Sequence, residues 1–61
     1  MWLFADDKTA LINTDNAESI EVSGKIIYIN MVSGKTHLYG QCVDEKEAVD
    51  MLRALRTMLN L

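Results

Sequence analysis

The sequence predicts an α+β domain: an antiparallel meander of four or five strands with one C-terminal helix packed across one face. Three observations predict it. They are a helix signature over residues 44–61, a Val-Ser-Gly-Lys tetrapeptide repeated ten residues apart, and short alternating apolar runs around that repeat. At 61 residues the chain forms a single domain, residues 1–61, with the β-meander over 1–43 and the helix over 44–61.

The helix is announced by Val43-Asp44-Glu45-Lys46-Glu47-Ala48, where Asp44 accepts from the backbone N–H three residues on and Glu47 reaches back to the N–H of Asp44. Val43 and Ala48 stand at the spacing of a hydrophobic staple, and the charges of Glu45 and Glu47 early and Arg53 and Arg56 late follow the helix dipole. Ala48, Leu52, Leu55 and Leu59 recur on one helical face. Met51, Ala54, Met58 and Leu61 form a second stripe beside them, which makes the apolar arc wider than one small sheet needs. Lys46, Asp50, Arg53, Thr57 and Asn60 take the wet side.

Among the strands, Trp2, Leu3 and Phe4 open the chain. Asp6-Asp7-Lys8 reads as a three-residue turn and Thr9–Asn13 as the returning strand. Asn13–Asn16 is a polar loop, Ala17 and Glu18 are read as a short turn of helix, and Ser19–Val22 alternates as a half-buried strand. Ser-Gly in Val22–Lys25 and again in Val32–Lys35 supplies a reversal at each end of Ile26–Met31, which has the β-branched and aromatic content of a central strand. Thr36–Tyr39 is the last strand, and Gly40 suggests a bulge or bend. The expected core is Leu3, Leu11, Ile20, Val22, Ile27, Ile29, Leu38, Val43, Leu52, Leu55 and Leu59.

The chemistry-bearing residues form no recognisable constellation. One cysteine, Cys42, and one histidine, His37, exclude an intrachain disulfide and a four-ligand Cys/His zinc site. Ser33-Gly34-Lys35-Thr36 has the tail of a phosphate-binding loop, but Ile29 stands where that loop needs its first glycine, and the segment lies between strands. Asp6, Asp7 and Asp15 lack the regular interval and closing Glu of a calcium loop. His37 at an alternating strand position reads as a surface or interface side chain, and Cys42 as a small buried hydrophobe. No catalytic residue, cofactor or metal site is expected.

Composition narrows the partners. With 49% hydrophobic and 25% charged residues the chain is expected to fold, and its net charge of -3 argues against general attraction to nucleic acid or anionic lipid. No run approaches the ~20 apolar residues of a membrane span, and Met1–Ala5 lacks the basic flank of a signal peptide, so a cytoplasmic protein is expected. A chain this short buries about 60% of its unfolded surface, which makes a partner subunit the natural supplement to its core.

Leu3-Phe4 followed by Asp7-Lys8-Thr9, then Ile12-Asn13, Glu18-Ser19-Ile20 and Glu47-Ala48, resembles small uncharacterised meander-plus-helix proteins of Gram-positive bacteria and their phages or mobile elements. That resemblance implies a bacterial or phage origin and brings no catalytic residue. Chains of this kind are also similar to part of a pleckstrin-homology-like barrel, which this chain is too short to complete.

The expected function is a non-catalytic, homo-oligomeric protein-interaction module, a homodimer or higher. Its contact surface is either the stripe Met51, Ala54, Met58 and Leu61 or a sheet face carrying Tyr28 and Tyr39. Two alternatives are a small nucleic-acid-associated regulator using Lys25, Lys35, Arg53 and Arg56, and a minor enzyme or metal-binding protein. The partner is expected to be the chain itself, another protein secondarily, and neither nucleic acid nor membrane.

Overall fold

The computed structural model describes every residue, Met1–Leu61. Its elements run β1 (Trp2–Phe4), β2 (Leu11–Asn13), a 3-10 turn (Thr14–Asn16), β3 (Ala17–Ser23), β4 (Ile26–Met31), β5 (Thr36–Gln41) and α1 (Glu45–Met58). This is the expected α+β order. The meander is interrupted by the 3-10 turn, which separates a β1/β2 hairpin from a three-stranded antiparallel sheet of order β3-β4-β5; the helical turn thus falls on the polar residues Thr14–Asn16, and Ala17 and Glu18, expected in it, already belong to β3. Asn13 caps that turn by accepting from the Asp15 N–H at 3.1 Å, and Thr14 ties it to the chain start by donating its hydroxyl to the Met1 carbonyl at 2.7 Å.

β4 lies at the centre of the sheet, and its alternate residues Ile27 and Ile29 are completely buried. They pack with Leu3, Ala5, Ile12, Cys42, Ala48 and Leu55 into one core. The helix and the hairpin therefore share the task of covering one face of the sheet. Ile20 and Val22 on β3 and Met31 on β4 pack around that core. The opposite face is partly polar: the Asn30 side chain donates to Ser19 at 3.0 Å and to Glu21 at 3.2 Å, while the Thr36 hydroxyl donates to Asn30 at 2.8 Å. Leu38, expected in the core, is half-buried on this outer face, where it pairs with Tyr28.

The hairpin corrects the expected core. A three-residue turn would set Leu3 opposite Leu11, but the observed pairs are Trp2 with Asn13, Leu3 with Ile12 and Phe4 with Leu11. The Ala5 N–H donates to the Ala10 carbonyl at 2.9 Å, so the turn is the four residues Asp6–Thr9. One extra residue flips the returning strand. Ile12 is 1% exposed and Leu11 57%. Asp7 holds the longer turn by accepting at one carboxylate oxygen from the Thr9 N–H and hydroxyl, at 3.0 and 2.7 Å, and Lys8 takes a left-handed φ of 61°. Those two bonds, the hydroxyl's first, hold the Asp7 carboxyl below its ordinary range.

The repeated tetrapeptide makes two different turns. Ser23 pairs with Ile26, leaving Gly24-Lys25 as a two-residue loop with φ 62° at Gly24. In the second copy the loop is Val32–Lys35, with Gly34 at φ 92°, its N–H bonded to the Met31 carbonyl at 2.9 Å. Val22 is accordingly half-buried in β3, whereas Val32 is exposed in a loop.

The helix begins as its sequence indicates, with the Asp44 side chain accepting from the Glu47 N–H at 2.8 Å. Glu47 reaches back to the Val43 N–H at 3.5 Å, one residue earlier than expected. Val43, a second expected core residue, is 80% exposed. The Cys42 N–H is still pinned to the Lys25 carbonyl at 2.8 Å, so Cys42 turns inward and the next side chain turns out. At the other end Asn60 adopts φ 58°, its N–H reaching the Thr57 carbonyl and that of Leu61 the Arg56 carbonyl, a Schellman ending with Asn in the left-handed position.

Two measurements test the hairpin. Ile12→Ala should cost about 2–5 kcal/mol in urea unfolding and Leu11→Ala no more than about 0.5 kcal/mol, an order that reverses if the turn has three residues. Because the folded carboxyl of Asp7 is lowered, its contribution is present above the ordinary carboxylate range and lost as pH falls through the lowered value. The stability difference between wild type and Asp7→Asn should therefore shrink to nothing in acid titrations, and a difference constant with pH would count against the Thr9 bonds as its source.

Candidate interaction surface

The two helical stripes meet different fates. Ala48 and Leu55 are buried and Leu52 and Leu59 half-buried, whereas Met51, Ala54, Met58 and Leu61 are exposed along one flank. β1 borders that flank. Met51 shares a groove with Trp2, Phe4 and Tyr39, and its sulfur lies 3.8 Å from where a Cβ on Gly40 would stand. Met58 and Leu61 share a second groove with Met1. The exposed side chains thus run as one band from the hairpin along the helix.

Trp2 and Phe4 were missing from the expected site. Period-two alternation put them on one face with Leu3 on the other, but only the hairpin register decides which face is dry. They are 62% and 55% exposed, and the Lys8 ammonium stands 5.8 Å from the Phe4 ring centroid, within cation–π range.

The tyrosine face does not form. Tyr28 pairs with Leu38 on the outer face, while Tyr39 is the extra residue where the β4/β5 register shifts and packs against the core. A bulge puts two residues of one strand opposite one of the other, so strict alternation fails there. The four basic residues are similarly scattered. Lys25 and Lys35 flank opposite ends of β4, and Arg53 and Arg56 lie on the helix.

His37 pairs across the sheet with Ile29 and is half-buried, bordering a shallow groove with Asp6, Asp7 and Thr9. Cys42 is buried, and burial, together with the nearby charges of Glu47 and then Asp44, pushes its thiol up. A thiol pushed up in this way ionises less readily than a free one. No three His, Cys, Asp or Glu side chains come together as a metal site, and no helix is long and apolar enough to cross a membrane.

The Cys42 environment gives a direct test. Its raised folded-state thiol contributes stability that is full below the ordinary thiol range and declines as pH rises through the raised value. At pH 7.5 a thiol reagent should modify the folded chain at least about tenfold more slowly than the urea-unfolded chain, the labelling rate following unfolding. Equal rates would show an open, ionised thiol.

Compared with protein-family models, curated proteins and solved structures, the chain returns no match.

Proposed function

We propose that the chain is a non-catalytic module that associates with copies of itself through the flank of α1 bearing Met51, Ala54, Met58 and Leu61. The observation that supports it most is the unequal burial of the two stripes: one closes the sheet and the other is left in water. Met1, Trp2, Phe4, Met51, Met58 and Leu61 are between 38% and 80% exposed. With large side chains taken at ~200 Å² each, they present on the order of 700 Å². Each partner of a standard interface contributes about 800 Å².

The composition of the band suits self-pairing. Trp2 and Phe4 are rigid and flat, Met51 and Met58 are flexible, and a two-fold contact lays the aromatic part of one copy on the methionine part of the other. Sulfur–aromatic contacts of this kind are each worth about 0.3–1.5 kcal/mol. Burial of Trp2 and Phe4 also removes the largest exposed aromatic surface of the chain. A cytoplasmic setting in a bacterium or phage-infected cell belongs to the same proposal and is supported by the resemblance noted above and by the single unpaired Cys42.

Sedimentation velocity at micromolar concentration tests the proposal. The wild type should associate, and Met58→Glu should weaken association by about tenfold or more while the chain stays folded, since a carboxylate would be desolvated at the contact. Leu55→Glu should unfold the chain itself. A wild type that is a folded monomer throughout would refute self-association, and equal unfolding by the two substitutions would make the Met58 stripe ordinary core.

A further inference from the structure

We propose that the two helix methionines of the band, Met51 and Met58, are a peroxide-sensitive modification site: they take up oxygen in the folded chain before Cys42 and Met31 do, and their oxidation weakens self-association while the fold stands. The order of oxidation needs no partner. The effect on association rests on the self-pairing through the band proposed above.

Four methionines and one cysteine carry the sulfur of the chain, and the fold divides them. Met51 and Met58 are 38% and 52% exposed on the outer flank of α1, and Met1, also exposed, borders the same groove as Met58. Cys42 is buried within the core, and Met31 is half-buried against it. Gly40 puts no side chain over the Met51 sulfur, which lies 3.8 Å from where one would begin. Peroxide therefore reaches the outer sulfurs without any opening of the fold.

Exposure alone would not settle the order, because a free thiolate is a strong nucleophile toward peroxide. Cys42 is denied that advantage, since burial, and then the charges of Glu47 and Asp44, disfavour its anion. A thioether needs no deprotonation. Its sulfur lone pair attacks one oxygen of hydrogen peroxide, the S–O bond forms as the O–O bond breaks, and the departing hydroxide takes the proton from the transferred oxygen. Methionine sulfoxide and water result, the sulfur oxidised and the peroxide reduced.

None of the eight core residues is a methionine, so a sulfoxide on α1 leaves the packing around Ile27 and Ile29 as it was. On the band the effect is the opposite. A flexible apolar side chain becomes polar, with an oxygen acceptor that a dry contact would strip of water, and the sulfur–aromatic contacts between copies go with it. The coupling is reciprocal. Association that excludes the sulfoxide also shields the thioether, so concentrated protein should oxidise more slowly at Met51 and Met58 than dilute protein.

Hydrogen peroxide at neutral pH on the dilute folded chain, followed by peptide mass spectrometry, tests the order. Met51 and Met58 should gain oxygen at least about tenfold faster than Met31 and Cys42, and the gap should close in urea. Cys42 or Met31 reacting as fast as Met58 in the folded chain overturns the site. Sedimentation and circular dichroism before and after treatment test the consequence. The untreated chain should associate, and the oxidised chain should stay folded and associate at least about tenfold more weakly. The two stereospecific sulfoxide reductases with a dithiol, which becomes a disulfide as the oxygen leaves in water, should restore association. Met51→Leu combined with Met58→Leu, which keeps the volume and removes the sulfur, should associate to the same extent before and after peroxide. An untreated chain that is monomeric refutes the self-pairing itself and the effect on association with it. Association unchanged by oxidation, or lost equally in the leucine variant, overturns that effect alone, as does an oxidised chain that unfolds.

Discussion

Burial of Ile27 and Ile29 is the constraint on which the rest of the fold depends. No other strand supplies two fully buried large side chains, and the small sheet cannot cover them alone. Coverage comes from two elements at opposite ends of the sequence. The helix contributes Ala48 and Leu55, and the hairpin contributes Leu3 and Ile12. Each buried aliphatic side chain is worth about 1.5–3 kcal/mol, so a core this size is lost if either cover lifts away. The cover is also narrow. One stripe of helix and one face of a two-stranded hairpin suffice, and everything apolar beside them is left outside.

The sequence made the helix legible because its signals are local and agree with one another. Asp44 and Glu47 mark its start, and the leucine spacing marks its dry face. The Gly24 and Gly34 turns were legible for the same reason, since positive φ favours that residue. What escaped was parity. Whether Leu11 or Ile12 points inward depends on one residue of turn length, set by the bonds of Thr9 to Asp7, and nothing in the alternation itself records it. Val43 and Tyr39 escaped likewise, because a backbone bond at Cys42 and a bulge on β5 each displace strict alternation.

The same parity governs the candidate surface. The stripe through Met51 and Met58 was visible as a surplus of helical arc, but its aromatic complement was not. Had the hairpin turned in three residues, Leu11 would have taken the inward place now held by Ile12. The band beside the helix thus joins a feature read from periodicity to one that only tertiary register could disclose. Tyr28 and Tyr39, paired on paper, were separated by that kind of register effect.

Surplus apolar surface in so short a chain follows from geometry. Surface grows relative to volume as a domain shrinks, and a 61-residue chain has room for a single layer of core between sheet and cover. Apolar residues beyond that layer must face water or another chain. In α1 the exposed ones, Met51, Ala54, Met58 and Leu61, lie on one flank. Spread evenly, such residues would be unremarkable surface. Gathered along one helix on one side, they leave the molecule with a small core and one exposed apolar band beside it.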